Sequence, residues 1–217
     1  MCASYQKPLS KLGLAFDIDE FKKFLISFSS VIALFSGSLA IILQDHDYLF
    51  SRWYNYSVKS NFRSRYGRYV LMRNIVIAPL VEEWIFRCVM IVILEKSWGC
   101  VYAGILAPFL FSIAHIHHMF ESIFIAGNSV IPSLLSTILQ LSFTMPFGLY
   151  SSFLFLKHRS FYGVFICHSF CNLMGFPEFH RLFSGDFTAL ELILNISLYV
   201  VGLVYFIHQN FGSYLVF

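Results

Sequence analysis

The chain has 217 residues, 58% hydrophobic, 19% aromatic and only 12% charged, with a mean hydropathy of +0.69 and a formal net charge of +3. That balance excludes a soluble core wrapped in charge, and it supplies no strong positive field, so no nucleic-acid partner is expected. It predicts an all-α polytopic membrane protein, a bundle of about six membrane helices.

A spanning helix needs roughly 20 mostly apolar residues, and the sequence offers such stretches at 24–43, 70–94, 101–119, 131–156, 161–178 and 189–208. The segments between them are too short for a separate soluble domain, so 1–217 reads as a single membrane-embedded domain. Ahead of the first stretch, Lys7, Lys11, Lys22 and Lys23 stand among Asp17, Asp19 and Glu20, and no small-residue cleavage site follows a short apolar run. A cleaved signal peptide is not expected there. The basic segment 52–73 is expected at the membrane surface against anionic headgroups, with substrate binding as the competing role. Lys and Arg divide evenly between the two sides that six spans would define, so the charge bias sets no orientation.

The 70–94 stretch carries VEEWIFR, and Pro79 is expected to start or kink its helix. Glu83 and Arg87 are four apart, the acid first, which is the favourable order for a helical ion pair. Glu82 is rotated about 100° from Glu83. The spacing therefore predicts that Arg87 neutralises and orients Glu83 while Glu82 acts on water. A buried ionic lock alone would leave the second negative charge uncompensated in a low dielectric, which argues for chemistry at this segment.

In the 101–119 stretch, FSIAHIHHMFE places Phe111, His115 and His118 at spacings of four and three, on one face, with His117 directed elsewhere. His117 and His118 read as interfacial residues near the helix end, and His115 as the deeper, functional histidine. In the 161–178 stretch, CHSFCNLMGF sets His168 and Asn172 four apart on one face. Both could donate to an oxyanion in acyl transfer, and both would serve equally well in a hydrogen bond between helices. Cys88, Cys167 and Cys171 lie in apolar stretches and are expected to pack as small hydrophobes. HExxH and GxSxG are absent, so the zinc-protease and serine-hydrolase signatures do not apply.

Taken in order, Glu82-Glu83-xxx-Arg87, Phe111-xxx-His115 and His168-xxx-Asn172 resemble the motifs of the type II CAAX prenyl endopeptidases, the Ras-converting intramembrane proteases. The flanking strings RNIVIAPLVEEWIFR, AHIHHMFE and CHSFCNLMGFP are similar to the eukaryotic branch. The resemblance covers about 70–180, which it marks as the catalytic core, and implies an endoplasmic reticulum, multi-pass membrane enzyme that removes the aaX tripeptide from prenylated CaaX proteins. By that likeness Glu82 activates water with His115, His168 and Asn172 hold the oxyanion, and Glu83, Arg87 and Phe111 support them. Ras-type small GTPases become expected substrates, membrane lipid an expected contact, and no cofactor or metal is expected. The family usually carries more membrane helices and a longer N-terminal portion than residues 1–69 provide. Two alternatives stay open: a peptidase in which Glu82, His115 and His168 ligate zinc, and a non-catalytic membrane protein that binds lipidated partners.

Overall fold

The computed structural model describes residues 8–15, 18–44, 65–177 and 179–215. Among them every regular element is helical: α1 (Pro8–Lys11), α2 (Ile18–Leu34), α3 (Ser36–Gln44), α4 (Arg65–Met72), α5 (Ala78–Glu83), α6 (Val92–Trp98), α7 (Cys100–Ala114), α8 (His117–Phe120), α9 (Val130–His158), α10 (Phe161–Met174) and α11 (Ala189–Leu215). Wider π-helical turns at Arg73–Ile77 and Trp84–Ile91 join α4, α5 and α6 into one run, and a third, Glu121–Ile125, follows α8. Most of the basic segment, 52–64, lies outside the described residues.

Cys100–Ile125, Val130–His158 and Ala189–Gly212 are long and apolar enough to cross a membrane, and Phe24–Leu34 with Ser36–Gln44, bent by 55°, makes a fourth if counted as one span. These four correspond to four of the six apolar stretches. The other two are helical as well, but the 70–94 stretch carries Arg73, Glu82, Glu83 and Arg87, and α10 ends after 14 residues. Pro79 does not start its helix, because the chain is already helical from Arg65, and the turn before the proline is widened.

The chain divides into two compact units. The first is Met1–Glu20 with Leu80–Phe165. Its centre is the contact of α7 with α9, where Gly148 lets the helices close in. A Cβ at that position would stand 3.0 Å from Pro108 Cβ and 3.2 Å from the Phe111 ring. Ser112 and Thr144 hydroxyls meet across the same contact at 3.0 Å. The end of α9 is held by Arg159, whose left-handed backbone (φ 48°) caps the helix while its guanidinium pairs with Glu95 at 2.5 Å.

The second unit is Phe21–Pro79 with Ile166–Phe217. Here α2 and α3 run antiparallel to α11, tied by amide and hydroxyl bonds: Asn210 Nδ2 donates to Ser30 Oγ at 2.8 Å, Ser36 Oγ to the Leu198 carbonyl at 2.8 Å, and Asn195 Nδ2 to Gln44 Oε1 at 2.9 Å. Phe170 of α10 meets the edges of Phe28 and Phe35. Away from these contacts α11 exposes Leu190, Ile193, Val200, Val201 and Val204, the apolar surface that a lipid-facing helix presents.

Gly202 sits against the Ala33 carbonyl so closely that any Cβ would overlap that backbone oxygen. A backbone atom cannot swing aside as a side-chain tip does. Gly202→Val should therefore destabilise the second unit by about 1–3 kcal/mol, the usual cost of overpacking, read as a lowered unfolding midpoint in detergent. Valine at the open position Gly127 would instead report only the strain of a left-handed turn, since nothing lies within 4 Å of it.

Candidate active site

Of the seven residues given catalytic or supporting roles, five lie in the first unit: Glu82, Glu83, Arg87, Phe111 and His115. Glu83 ends α5 and Arg87 lies in the π-helical turn beyond it, both fully buried, with Arg87 Nε 3.2 Å from Glu83 Oε2. The same carboxylate oxygen accepts a 2.8 Å hydrogen bond from Ser151 Oγ of α9. The predicted ion pair is thus present, with a third partner from another helix. Arg87 Nη1 and Nη2 find no hydrogen-bond acceptor among the described residues. The guanidinium carbon instead lies 4.4 Å from the centroid of the Phe111 ring and 6.0 Å from that of Phe147. An aromatic face attracts a desolvated cation by about 2 kcal/mol or more, so Phe111 serves Arg87 directly. Glu82, next to this cluster, is half-buried where Glu83 is wholly enclosed.

Phe111 also links the arginine to His115. Its ring meets the imidazole edge-on at 4.8 Å, and its carbonyl oxygen lies 2.8 Å from His115 Nδ1. A carbonyl only accepts, so Nδ1 carries the proton and Nε2 is the basic nitrogen of the neutral ring. The helix tightens here: the N–H groups of His115 and Ile116 bond back three residues, to Ser112 and Ile113. That overwinding changes the predicted facing of the next histidines. His118 does approach His115, with ring centroids 6.0 Å apart, but His117 does not point elsewhere, since its ring lies 3.9 Å from that of His118.

His168 and Asn172 belong to the second unit, both on α10, His168 buried and Asn172 exposed. Asn172 Nδ2 donates to the Asn74 carbonyl at 2.9 Å. The local backbone explains why that carbonyl is available. In the widened turn Ala78 N–H bonds to Arg73 O, five residues back, and the next residue, Pro79, has no N–H to give. The Asn74 carbonyl is passed over by its own helix and takes the side-chain amide. This is the interhelical reading of the HxxxN pair; the amide's second N–H is a separate donor.

Cys88 and Cys167 are buried at 0% and 2% exposure, in keeping with packing roles. Ser151, Phe147 and Asn74 were not singled out by sequence. Ser133, Thr137, Thr144, Gly148 and Ser151 follow a helical spacing of four, seven, four and three, a small polar stripe that marks the face α9 turns inward.

Residues 65–174 match a family model described as "Type II CAAX prenyl endopeptidase Rce1-like". The chain is 43% identical to human "CAAX prenyl protease 2" over 106 residues, 49% of this chain and 32% of that protein. It is 41% identical over 112 residues to the Schizosaccharomyces pombe protein named "Probable CAAX prenyl protease 2", 51% of this chain and 41% of the relative. With Arabidopsis thaliana "CAAX prenyl protease 2" the identity is 39% over 106 residues, covering 48% and 34%. The matched part thus spans less than half the length of these relatives. No solved structure matches the chain.

Two substitutions test the geometry. Arg87→Met leaves Glu83 buried with its charge uncompensated and should cost about 3–5 kcal/mol, well beyond Ser151→Ala, which removes a single donor and should cost about 1–3 kcal/mol. Equilibrium unfolding in detergent should rank them in that order. Asn172→Asp keeps the shape, removes the N–H and sets a carboxylate oxygen against the Asn74 carbonyl. The hydrogen bond is exposed, so a loss of about 0.5–1.5 kcal/mol is expected, and an unchanged midpoint would mean that the amide is dispensable to the fold.

Proposed function

The chain belongs to the type II CAAX prenyl endopeptidase Rce1-like family, and from that premise we propose that it is an intramembrane endopeptidase that removes the C-terminal aaX tripeptide from prenylated CaaX proteins. Residues 70–180 form its catalytic core. Water attacks the scissile carbonyl while Glu82 accepts its proton, with His115 assisting through Nε2. A carbon–oxygen bond forms, and the negative charge on the former carbonyl oxygen is held by His168 and the Asn172 amide as donors of the oxyanion-hole type. When the intermediate collapses, the carbon–nitrogen bond breaks and the proton taken from water goes to the departing amine. No covalent enzyme intermediate is needed.

The observation that carries this reading is the unequal treatment of two adjacent carboxylates. Glu83 is enclosed and committed to Arg87 and Ser151, while Glu82 keeps exposed surface. A carboxylate in a partly desolvated setting is the kind of group that acts as a general base. By the family's character the substrates are prenylated proteins, Ras-type small GTPases among them, and the enzyme works in the endoplasmic reticulum membrane.

The test is mass spectrometry of a farnesylated CaaX peptide incubated with the detergent-purified chain. The unmutated protein should release the last three residues. Glu82→Gln should lower kcat by at least two orders of magnitude, the scale of a positioned general base, with little change in the unfolding midpoint. Cleavage that survives Glu82→Gln would remove Glu82 from this role, and no cleavage by either folded protein would favour a binding protein for lipidated partners.

A further inference from the structure

Beyond His115 the chain gathers three side chains of metal-binding type on its surface. His117, His118 and Glu121 are all exposed, and each offers a donor atom within 4.8 Å of the other two. We infer that these residues form a site for a divalent transition cation of the zinc class, separate from the groups assigned to peptide hydrolysis.

The spacing comes from the backbone already described. The tightened turn at His115–Ile116 brings the His117 and His118 rings to 3.9 Å, and the N–H of Ala126 reaches back to the Glu121 carbonyl as the helix widens again. Within the cluster, His118 Nδ1 and Glu121 Oε2 stand 3.2 Å apart. Two ligand atoms on a tetrahedral zinc ion, each about 2.0–2.2 Å from the metal, are separated by roughly 3.3 Å. As it stands His118 Nδ1–H donates to that carboxylate, so an ion must displace the proton, after which the pair needs little movement to share it.

His117 is oriented for the same purpose. Its Nδ1 lies 2.5 Å from the Ala114 carbonyl, which fixes the proton on Nδ1 and makes Nε2 the basic nitrogen. Metal-binding histidines commonly hold their second nitrogen on a carbonyl in this way. Two imidazoles and one carboxylate suit zinc rather than calcium or magnesium, which favour oxygen ligands. Three protein donors leave the fourth tetrahedral position to water.

The site is tested by titrating the chelator-stripped, detergent-solubilised chain with Zn²⁺ in a calorimeter and with Co²⁺ by visible absorption. About one equivalent should bind, and His117→Ala, His118→Ala and Glu121→Gln should each weaken binding by about tenfold or more. His208→Ala and Glu82→Gln should leave it unchanged. Because all three ligands are exposed, the variants should keep their helical circular dichroism, so lost binding reports ligation. Unaltered affinity in His118→Ala, or no saturable binding to the unmutated chain, overturns the site. Loss of binding in Glu82→Gln overturns it too, and points to zinc held by the residues of the hydrolytic cluster.

Discussion

A fully buried guanidinium sets the terms for the first unit. Removing Arg87 and Glu83 from water costs several kcal/mol per ion, and their mutual attraction offsets this only where the remaining polar capacity is also met. The structure offsets the cost from three directions, Glu83 within the same helical run, Ser151 from α9 and the Phe111 ring from α7, while Arg87 Nη1 and Nη2 have no acceptor among the described residues. The helices that supply these groups cannot slide without uncovering a charge. Gly148 supports the arrangement by omission, since its missing side chain admits Pro108 and Phe111 to the positions the guanidinium requires. His115 inherits its place from the same ring, held at once by the Phe111 carbonyl and the ring face.

The second unit relies on different forces. Apolar side chains gain little by leaving lipid for one another, so association among such helices rests on close packing and polar ties. Accordingly α11 meets α2 and α3 through two buried asparagines, a serine hydroxyl on a carbonyl, and a glycine seated on the Ala33 backbone. No ion pair joins these helices among the described residues. Neutral amides suit this setting, because each contributes hydrogen bonds without the desolvation penalty of a full charge.

The sequence made the charged core legible because its chemistry is local. Glu83 and Arg87 lie within one turn, and so do Phe111 and His115; the structure pairs both as their spacing predicts. Residues whose partners lie far along the chain were harder to read. Ser151 is 68 positions from Glu83, and Asn172 is 98 from Asn74. The small polar stripe of α9 held the clue to the first, but small residues in apolar helices have many uses. A departure from the 3.6-residue period defeated the facing argument for His117. The turn at His115 is narrower than an α-helix, so His117 came to rest beside His118.

The Asn74 carbonyl shows how a local defect can act as an address. A carbonyl passed over by its own helix needs a donor from elsewhere, so a helix carrying one is selective about its neighbour. The neighbour must bring an N–H, and at one height only, since moving by a single residue shifts a helical side chain by about 1.5 Å along the axis and about 100° around it. Pro79 thereby dictates more than the shape of its own helix. It selects, among the registers α10 could adopt within the second unit, the one that delivers Asn172.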